Sequence, residues 1–101
     1  MSQSEIAVEK IDEHHIGVAL PTELTIGNSS ALYETLAGIV ETTSVVVLIA
    51  SSVDKIDTAG LQLITAFTHE RSDQALLTEL RHRTDRLTEA LSRLGLTEFF
   101  A

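Results

Sequence analysis

Residues 45–61 read VVVLIASSVDKIDTAGL. The run over residues 45–50 is apolar and mostly β-branched, without the alternation of a strand that has one face in water. Such a run is typical of a central parallel strand that is covered on both faces. Residues 51–56 form a predicted loop, and Asp57 stands at the N-cap of a helix that continues to about residue 70. The stretch therefore predicts a buried strand, a loop and a helix in succession.

A hairpin is predicted ahead of this stretch. Ile6 and Val8 alternate with polar or small residues, as in a half-buried strand. A second alternating strand follows the polar turn at residues 12–14 and ends at Pro21, which cannot donate to a strand ladder. Its apolar residues are Ile16, Val18 and Leu20. The two strands are expected to pair antiparallel.

Two further helices and one strand complete the pattern. Asn28 is expected to cap the first helix, residues 72–74 to break the second, and residues 75–80 to form the last strand. Thr84 is expected to cap the third helix, and Gly95 to end it in the left-handed conformation. The apolar face of the first helix carries Leu32, Leu36, Ile39 and Val40, and that of the third carries Leu87, Ala90, Leu91 and Leu94.

The order of elements is thus ββαβαβα, which predicts an α/β fold. One mixed sheet is expected, in which the hairpin adjoins parallel strands that are connected by helices packed against the sheet. The 101 residues fit a single domain over residues 1–101 and leave no room for separate cofactor and substrate domains.

Charge and composition limit the partners. Fifteen acidic residues against seven Lys and Arg give a net charge of −8, so neither nucleic acid nor an anionic membrane is an expected partner. The chain has no cysteine, which excludes disulfides and thiolate chemistry. It starts without a signal-peptide pattern, and its longest apolar run is far too short to span a membrane. We expect a soluble, cytoplasmic protein without membrane insertion.

No pattern for catalysis or cofactor binding is found in the sequence. The four histidines are not spaced to share a metal ion, and phosphate-binding glycine loops and a nucleophile elbow are absent. We therefore expect no enzyme activity, no catalytic residue, no metal and no cofactor. Arg81, Arg83 and Arg86 form a small basic cluster among acidic residues, a pattern that favours surface ion pairs over an anion-binding site.

Gly60 is an unusual residue for the first turn of a helix, where glycine costs up to about 1 kcal/mol relative to alanine. A close approach to the backbone would explain it, either by a neighbouring element of the same fold or by an incoming partner. Asp57 can cap this helix, and Thr58 follows near its positive end. On these residues alone, a plain capped helix with a packing glycine is the simpler interpretation.

Residues 56–61, IDTAGL, resemble the core motif of the STAS family, the sulfate-transporter and anti-sigma-factor-antagonist domains, and they occur at the corresponding place in a ββαβαβα chain. The resemblance covers nearly the whole chain. It includes Leu24, Thr25, Ala31, Leu32 and Leu36 at the first helix, and Leu87, Leu91, Leu94, Gly95, Leu96 and Phe99 near the C-terminus.

In stand-alone bacterial members of the family, the hydroxyl residue after the aspartate is phosphorylated, so the resemblance implies Thr58 as the phosphorylation site. It implies an anti-sigma factor antagonist that works by partner switching. The unphosphorylated domain would bind an anti-sigma factor or a related serine/threonine switch kinase, phosphorylation would release it, and a PP2C-type phosphatase would reset the cycle. The expected partner-binding residues are Ser51, Ser52, Asp54, Asp57, Thr58, Gly60 and Leu61.

Two other functions stay open. Some small STAS proteins attach to the ATPase of an ABC transporter for phospholipids and stabilise it, and the motif fits this alternative equally well. A small hydrolase is a third possibility, for which the sequence offers no convergent nucleophile and base. Two positions depart from the family pattern: Ile49 stands where many members carry Asp or Asn, and residues 72–74 lack a glycine that is often present.

Overall fold

The computed structural model describes residues 6–100, except for the side chains of Glu98 and Phe99. The strands are β1 (Val8–Asp12), β2 (His15–Ala19), β3 (Glu23–Leu24), β4 (Val45–Ile49), β5 (Lys55–Ile56) and β6 (Thr78–Arg81). The helices are α1 (Ser29–Ala37), α2 (Thr58–Asp73) and α3 (Asp85–Arg93), with short 3-10 helices at Ile26–Asn28 and Thr97–Phe100. The side chain of Phe99, one of the residues that carry the family resemblance, thus lies outside the described part of the chain.

The main sheet has the strand order β1-β2-β4-β6. β1 and β2 form an antiparallel hairpin, while β4 runs parallel to both β2 and β6. Val18, Leu48 and Leu80 lie side by side across the three parallel strands. The predicted mixed sheet and the order ββαβαβα are therefore confirmed.

The structure adds a small second sheet that the sequence analysis did not predict. β3 and β5 contribute two residues each and pair in parallel, with Glu23 beside Lys55 and Leu24 beside Ile56. The prediction of a continuous loop over residues 51–56 is therefore wrong for its last two residues. This pairing holds the chain in place directly before α2.

The three helices pack on one face of the main sheet. Their buried side chains form one cluster with alternating sheet residues; the cluster includes Val18, Val46, Leu48 and Leu80 from the strands, and Leu32, Leu36, Leu61, Ile64, Phe67, Leu87 and Leu91 from the helices. Val47 points to the opposite face and is only 1 % exposed. The burial of Val47 agrees with the prediction that β4 is covered on both faces, although the helices cover only one face.

Side chains close the opposite face around Gly17. The Cδ1 atoms of Ile11 and Ile49 both lie 3.1 Å from the point where a Cβ of residue 17 would be. Gly17 thus leaves the room in which the two isoleucines pack. Ile49 therefore serves as a packing residue of this face.

The first strand differs from the prediction. β1 begins at Val8, and all five of its residues are exposed, because it is an edge strand with a register irregularity between Lys10 and Asp12. Ile6 precedes the strand and packs, partly buried, against the core. The alternation at Ile6 and Val8 therefore marks one anchoring residue and not a half-buried strand.

The start of α1 also differs. Asn28 occupies the N-cap position but makes no side-chain cap bond, and its amide nitrogen donates to the carbonyl of Glu23 over 2.7 Å. The helix ends at Ala37, earlier than the apolar spacing suggests. Ile39 and Val40 lie in the turn that follows and still pack against the core.

Arg71 is a buried cation near the end of α2, where its side chain is 0 % exposed. Its guanidinium donates to the hydroxyl of Thr78 and to five backbone carbonyls, those of Ile39, Val40, Thr42, Ser44 and Leu77. Its Cζ also lies 5.8 Å from the centre of the Phe67 ring. Burial lowers the pKa of Arg71, but an arginine stays protonated in proteins. The residue therefore joins the turn after α1 to the turn after α2.

α3 ends as predicted. Gly95 has a φ of 71°, its N–H donates to the carbonyl of Ser92, and the N–H of Leu96 donates to the carbonyl of Leu91. These are the two bonds of a Schellman motif. Leu94, by contrast, is 50 % exposed, which corrects its placement on the buried face of this helix.

α2 ends with the same motif but without a glycine. The helix continues to Asp73 and has its C-cap at Gln74, so it ends within the predicted break at residues 72–74 but later than the predicted residue 70. Ala75 has a φ of 60°, its N–H donates to the carbonyl of Ser72, and the N–H of Leu76 donates to the carbonyl of Arg71. The left-handed position after α2, which glycine usually occupies, is thus held by an alanine.

Ala75→Gly is expected to stabilise the protein by about 0.5–1 kcal/mol. A left-handed conformation costs a non-glycine residue roughly 1–2 kcal/mol, and the greater freedom of glycine in the unfolded chain offsets about half of that gain. Urea unfolding followed by circular dichroism measures the change.

Gly95→Ala is the matched control. It should lower stability by about 1 kcal/mol, because alanine is strained in the left-handed conformation. The added Cβ would meet nothing within 4 Å, so the variant tests the backbone conformation alone. If Ala75→Gly also lowers stability, backbone strain at Ala75 is not the controlling effect.

Candidate functional site

Asp57 joins the start of α2 to the segment that follows β3. Its Oδ1 accepts from the N–H of Gly60 over 2.9 Å, which confirms the predicted N-cap, and its Oδ2 accepts from the N–H of Ile26 over 3.0 Å. Its own N–H donates to the carbonyl of Leu24 over 3.1 Å. The bond from Ile26 could not be predicted, because the two residues are distant in sequence.

The hydrogen bonds that the Asp57 carboxylate accepts also keep it ionised. The N–H of Ile26, followed by that of Gly60, lowers the pKa of the Asp57 carboxyl below its ordinary value. Because the pKa of Asp57 is lower in the folded than in the unfolded protein, its carboxylate stabilises the fold at pH values above its unfolded-state pKa of about 3.9. That contribution is lost as the pH falls through the lower folded value. At neutral pH, Asp57 is thus a fixed negative charge at the start of α2.

Thr58 is the first residue of α2, and its side chain is exposed. It borders two depressions between α2 and the C-terminal part of α3. The first, which we call the mouth groove, has a volume of about 160 Å³ and is lined by Ile56, Asp57, Thr58, Leu61, Ala90, Arg93 and Leu94. The second, the long groove, has a volume of about 430 Å³ and is lined by Thr58, Leu61, Gln62, Thr65, Ala66, His69, Leu94 and Leu96.

Gly60 and Leu61 lie below the surface. A Cβ on Gly60 would be 2.0 Å from the carbonyl oxygen and 2.4 Å from the carbonyl carbon of Leu24. Leu61 is 3 % exposed and belongs to the core. Of the two explanations left open for Gly60, the structure supports the first: the close approach comes from a neighbouring element of the same fold.

The loop residues of the expected binding surface are exposed. Ser51 and Ser52 form a turn directly after β4, whereas Val53 turns inward and is 1 % exposed. The backbone N–H of Asp54 donates to the carbonyl of Thr22 over 2.8 Å. The structure thus brings Asp57, Thr58 and Leu61 together around the mouth groove, and Asp54 lines an adjoining depression that Arg93 also borders.

Two of the three arginines of the predicted basic cluster are ion-paired, one with an acidic neighbour in sequence and one with a distant carboxylate. Arg81 lies 2.5 Å from Glu79, and Arg86 lies 3.2 Å from Asp54 in the loop before α2. Arg83 donates to the backbone carbonyl of Phe100. Arg86 therefore links α3 to the expected binding surface.

Leu94 and Arg93 are the residues around Thr58 that sequence reasoning missed. Leu94 follows the apolar spacing of α3, yet it is half exposed and borders both grooves. Arg93 lies in the last turn of α3 and reads in the sequence as an ordinary surface residue. Their position beside Thr58 depends on how α3 packs against α2, for which a single sequence carries no local signal.

The described residues contain neither a metal-binding cluster nor a membrane-spanning helix. Across residues 6–100, no group of three or more His, Asp or Glu side chains is arranged to hold a metal ion. No helix of that range combines the length and the apolar character needed to cross a membrane.

Comparisons with known proteins agree with this fold. A family model described as "Mlab, STAS domain" matches residues 7–100. A comparison with curated proteins finds no match. The fold is similar to that of the anti-sigma factor antagonist SpoIIAA in its unphosphorylated form, with a TM-score of 0.76 and 14% identity over 92% of this chain and 83% of that one.

Two further solved structures have the same fold. The Bacillus cell fate determinant SpoIIAA in its phosphorylated form has a TM-score of 0.73 at 14% identity, over 92% of this chain and 86% of that one. An anti-sigma factor antagonist from Mycobacterium paratuberculosis has a TM-score of 0.75 at 18% identity, over 94% of this chain and 80% of that one.

Proposed function

The chain belongs to the STAS domain family, and from this we propose that it is a non-catalytic, phosphorylation-controlled regulator, an anti-sigma factor antagonist. In this proposal it binds an anti-sigma factor or a related serine/threonine switch kinase in the cytoplasm while Thr58 is unphosphorylated. The observation that carries the proposal is the position of Thr58: an exposed hydroxyl residue at the capped start of α2, at the edge of two grooves. Solved structures of similar fold include anti-sigma factor antagonists.

The local physics supports a switch at this residue. A phosphoryl group adds about −1.5 to −2 charges at neutral pH to a chain whose net charge is already −8. The positive end of the α2 dipole favours an anion at this first helical residue, so the added charge need not unfold the domain. A partner fitted to a bare hydroxyl would instead meet a bulky anion.

The proposed partner surface surrounds Thr58. Leu94 offers an exposed apolar contact and Gln62 an exposed polar one on the long groove. Ser51, Ser52 and Asp54 extend the surface along the loop, while Asp57, Gly60 and Leu61 hold its backbone in place from within. A PP2C-type phosphatase would return Thr58 to the binding-competent form.

The same grooves also suit the alternative function, a STAS subunit that stabilises the ATPase of a phospholipid ABC transporter. The observation that favours it is the long groove, whose exposed Leu94 could support permanent docking. In that case the partner would stay bound whatever the state of Thr58.

Variants of Thr58 separate the two functions. Thr58→Ala removes the phosphate acceptor without adding charge, so partner binding should persist. Thr58→Glu adds charge and bulk beside Asp57 and should weaken binding by about tenfold or more, ~1.4 kcal/mol. Both variants should fold, since an acidic residue is favourable at a helix start. Pull-down from the native cell measures partner recovery, and mass spectrometry detects phosphorylated Thr58.

Thr88→Glu is the matched control, because Thr88 is an exposed helical threonine that lines neither the mouth groove nor the long groove. It should recover as much partner as the parent protein. Equal recovery of one partner by the Ala and Glu variants of Thr58, with no phosphopeptide under any growth condition, would rule out the switch and favour the transporter subunit.

A further inference from the structure

Arg93 is the arginine of α3 that borders the mouth groove together with Thr58. Its side chain is 73% exposed, and its Nη2 lies 3.7 Å from Oε1 of Glu89, one helical turn earlier. A contact of this length between two exposed groups contributes little to stability. Glu89 therefore does not hold the guanidinium away from the groove.

The other arginines of residues 6–100 have closer partners. Arg71 is enclosed by backbone carbonyls, and Arg81 and Arg86 lie 2.5 and 3.2 Å from their carboxylates. Arg83 donates to the carbonyl of Phe100. Arg93 is thus the arginine of the described chain that is both beside Thr58 and most weakly engaged.

We propose that Arg93 binds the phosphoryl group of phosphorylated Thr58 within the same molecule, an inference that rests on the proposed function and specifies its regulation. A guanidinium presents parallel N–H groups that match two phosphate oxygens. The phosphoryl group would then be held between the start of α2 and the end of α3. The other charged residues around the mouth groove and the adjoining depression are Asp54, Lys55, Asp57, Arg86 and Glu89.

This contact gives phosphorylation an effect on shape as well as on charge. Arg93 leaves Glu89 and bridges the mouth groove, which closes the space between Thr58 and Leu94. A partner that inserts an apolar side chain beside Leu94 then loses its site. Release therefore depends on Arg93 and does not come from charge repulsion alone.

The test uses phosphothreonine installed at position 58 during translation by amber suppression, in the full chain and without any kinase. Phosphorus NMR follows the second ionisation of the phosphoryl group, whose ordinary pKa is about 6. Arg93 favours the dianion, so we expect the phosphate pKa to be roughly 0.5 lower in the parent than in Arg93→Gln at low salt. Arg93→Lys should restore part of this difference, because it keeps the charge but lacks the paired N–H groups.

Arg86→Gln is the matched control, since Arg86 is equally exposed on the same helix but faces Asp54. It should change the phosphate titration clearly less than Arg93→Gln does, because Arg86 does not line the mouth groove and its charge is paired with Asp54. An unchanged titration in Arg93→Gln, with both proteins folded by circular dichroism, overturns the proposal. Absence of phosphorylated Thr58 in cells would instead contradict the proposed function, so the two failures are distinguishable.

Discussion

Replacement of Arg71 by methionine is expected to destabilise the protein by roughly 3–5 kcal/mol. Methionine keeps a long side chain in the buried site but donates no hydrogen bond. The hydroxyl of Thr78 and the carbonyls of Val40, Thr42 and Ser44 would lose this donor. The carbonyls of Ile39 and Leu77 would keep a backbone N–H donor. Acceptors that face one another repel, and each unsatisfied buried group carries a desolvation cost. Urea unfolding at neutral pH gives the change in free energy.

Two further variants define the cause. Arg71→Lys should be intermediate, because one ammonium has three donors and cannot span the acceptors that a planar guanidinium reaches. Arg86→Met makes the same change on the surface, where the side chain is 72% exposed, and should alter stability by less than about 0.5 kcal/mol. A loss below about 1 kcal/mol for Arg71→Met would show that water replaces the guanidinium.

Gly60→Ala is expected to cost roughly 3 kcal/mol or more, near the upper end of overpacking effects. The added Cβ would lie 2.0 Å from the carbonyl oxygen of Leu24, well inside van der Waals contact. Relief requires the backbone of β3 to move away from α2, which would break the bond from the Asp57 N–H to Leu24. Larger residues such as arginine should prevent folding.

Gly38→Ala is the control for Gly60→Ala. Gly38 caps α1 with a φ of −70°, and a Cβ there would meet its nearest atoms at 3.5 and 3.6 Å, which is ordinary contact. Its stability should stay within about 1 kcal/mol of the parent. Thermal unfolding of the two variants side by side provides the measurement. Equal stability of the two variants would mean that the backbone of β3 moves at little cost and that Gly60 is not a packing residue.

Local sequence patterns were enough to predict β4, the Asp57 and Thr84 caps and the end of α3 at Gly95. In each case the deciding interaction joins residues that are close in sequence, such as the bond from Leu87 N–H to Thr84. The main sheet followed from the order of these elements and from the right-handed connections that parallel strands require.

Interactions between distant residues could not be predicted. The β3–β5 pair has two residues per strand, too few for a periodic signal. Arg71 looks like a surface residue in the sequence, because its acceptors converge only when two turns meet. Gly60 gave a signal through its low helix propensity, but not the identity of its neighbour, Leu24. The roles of Thr58 and the loop residues in partner binding stay predictions that the proposed variants test.

The edges of the main sheet have a consequence for how this protein meets other molecules. β1 exposes Lys10 and carries a register irregularity beside it, while the opposite edge, β6, is only four residues long and carries the Glu79–Arg81 ion pair. Charged side chains, irregular pairing and short strands each hinder the addition of a foreign strand. We therefore expect the sheet to resist edge-to-edge aggregation at high concentration.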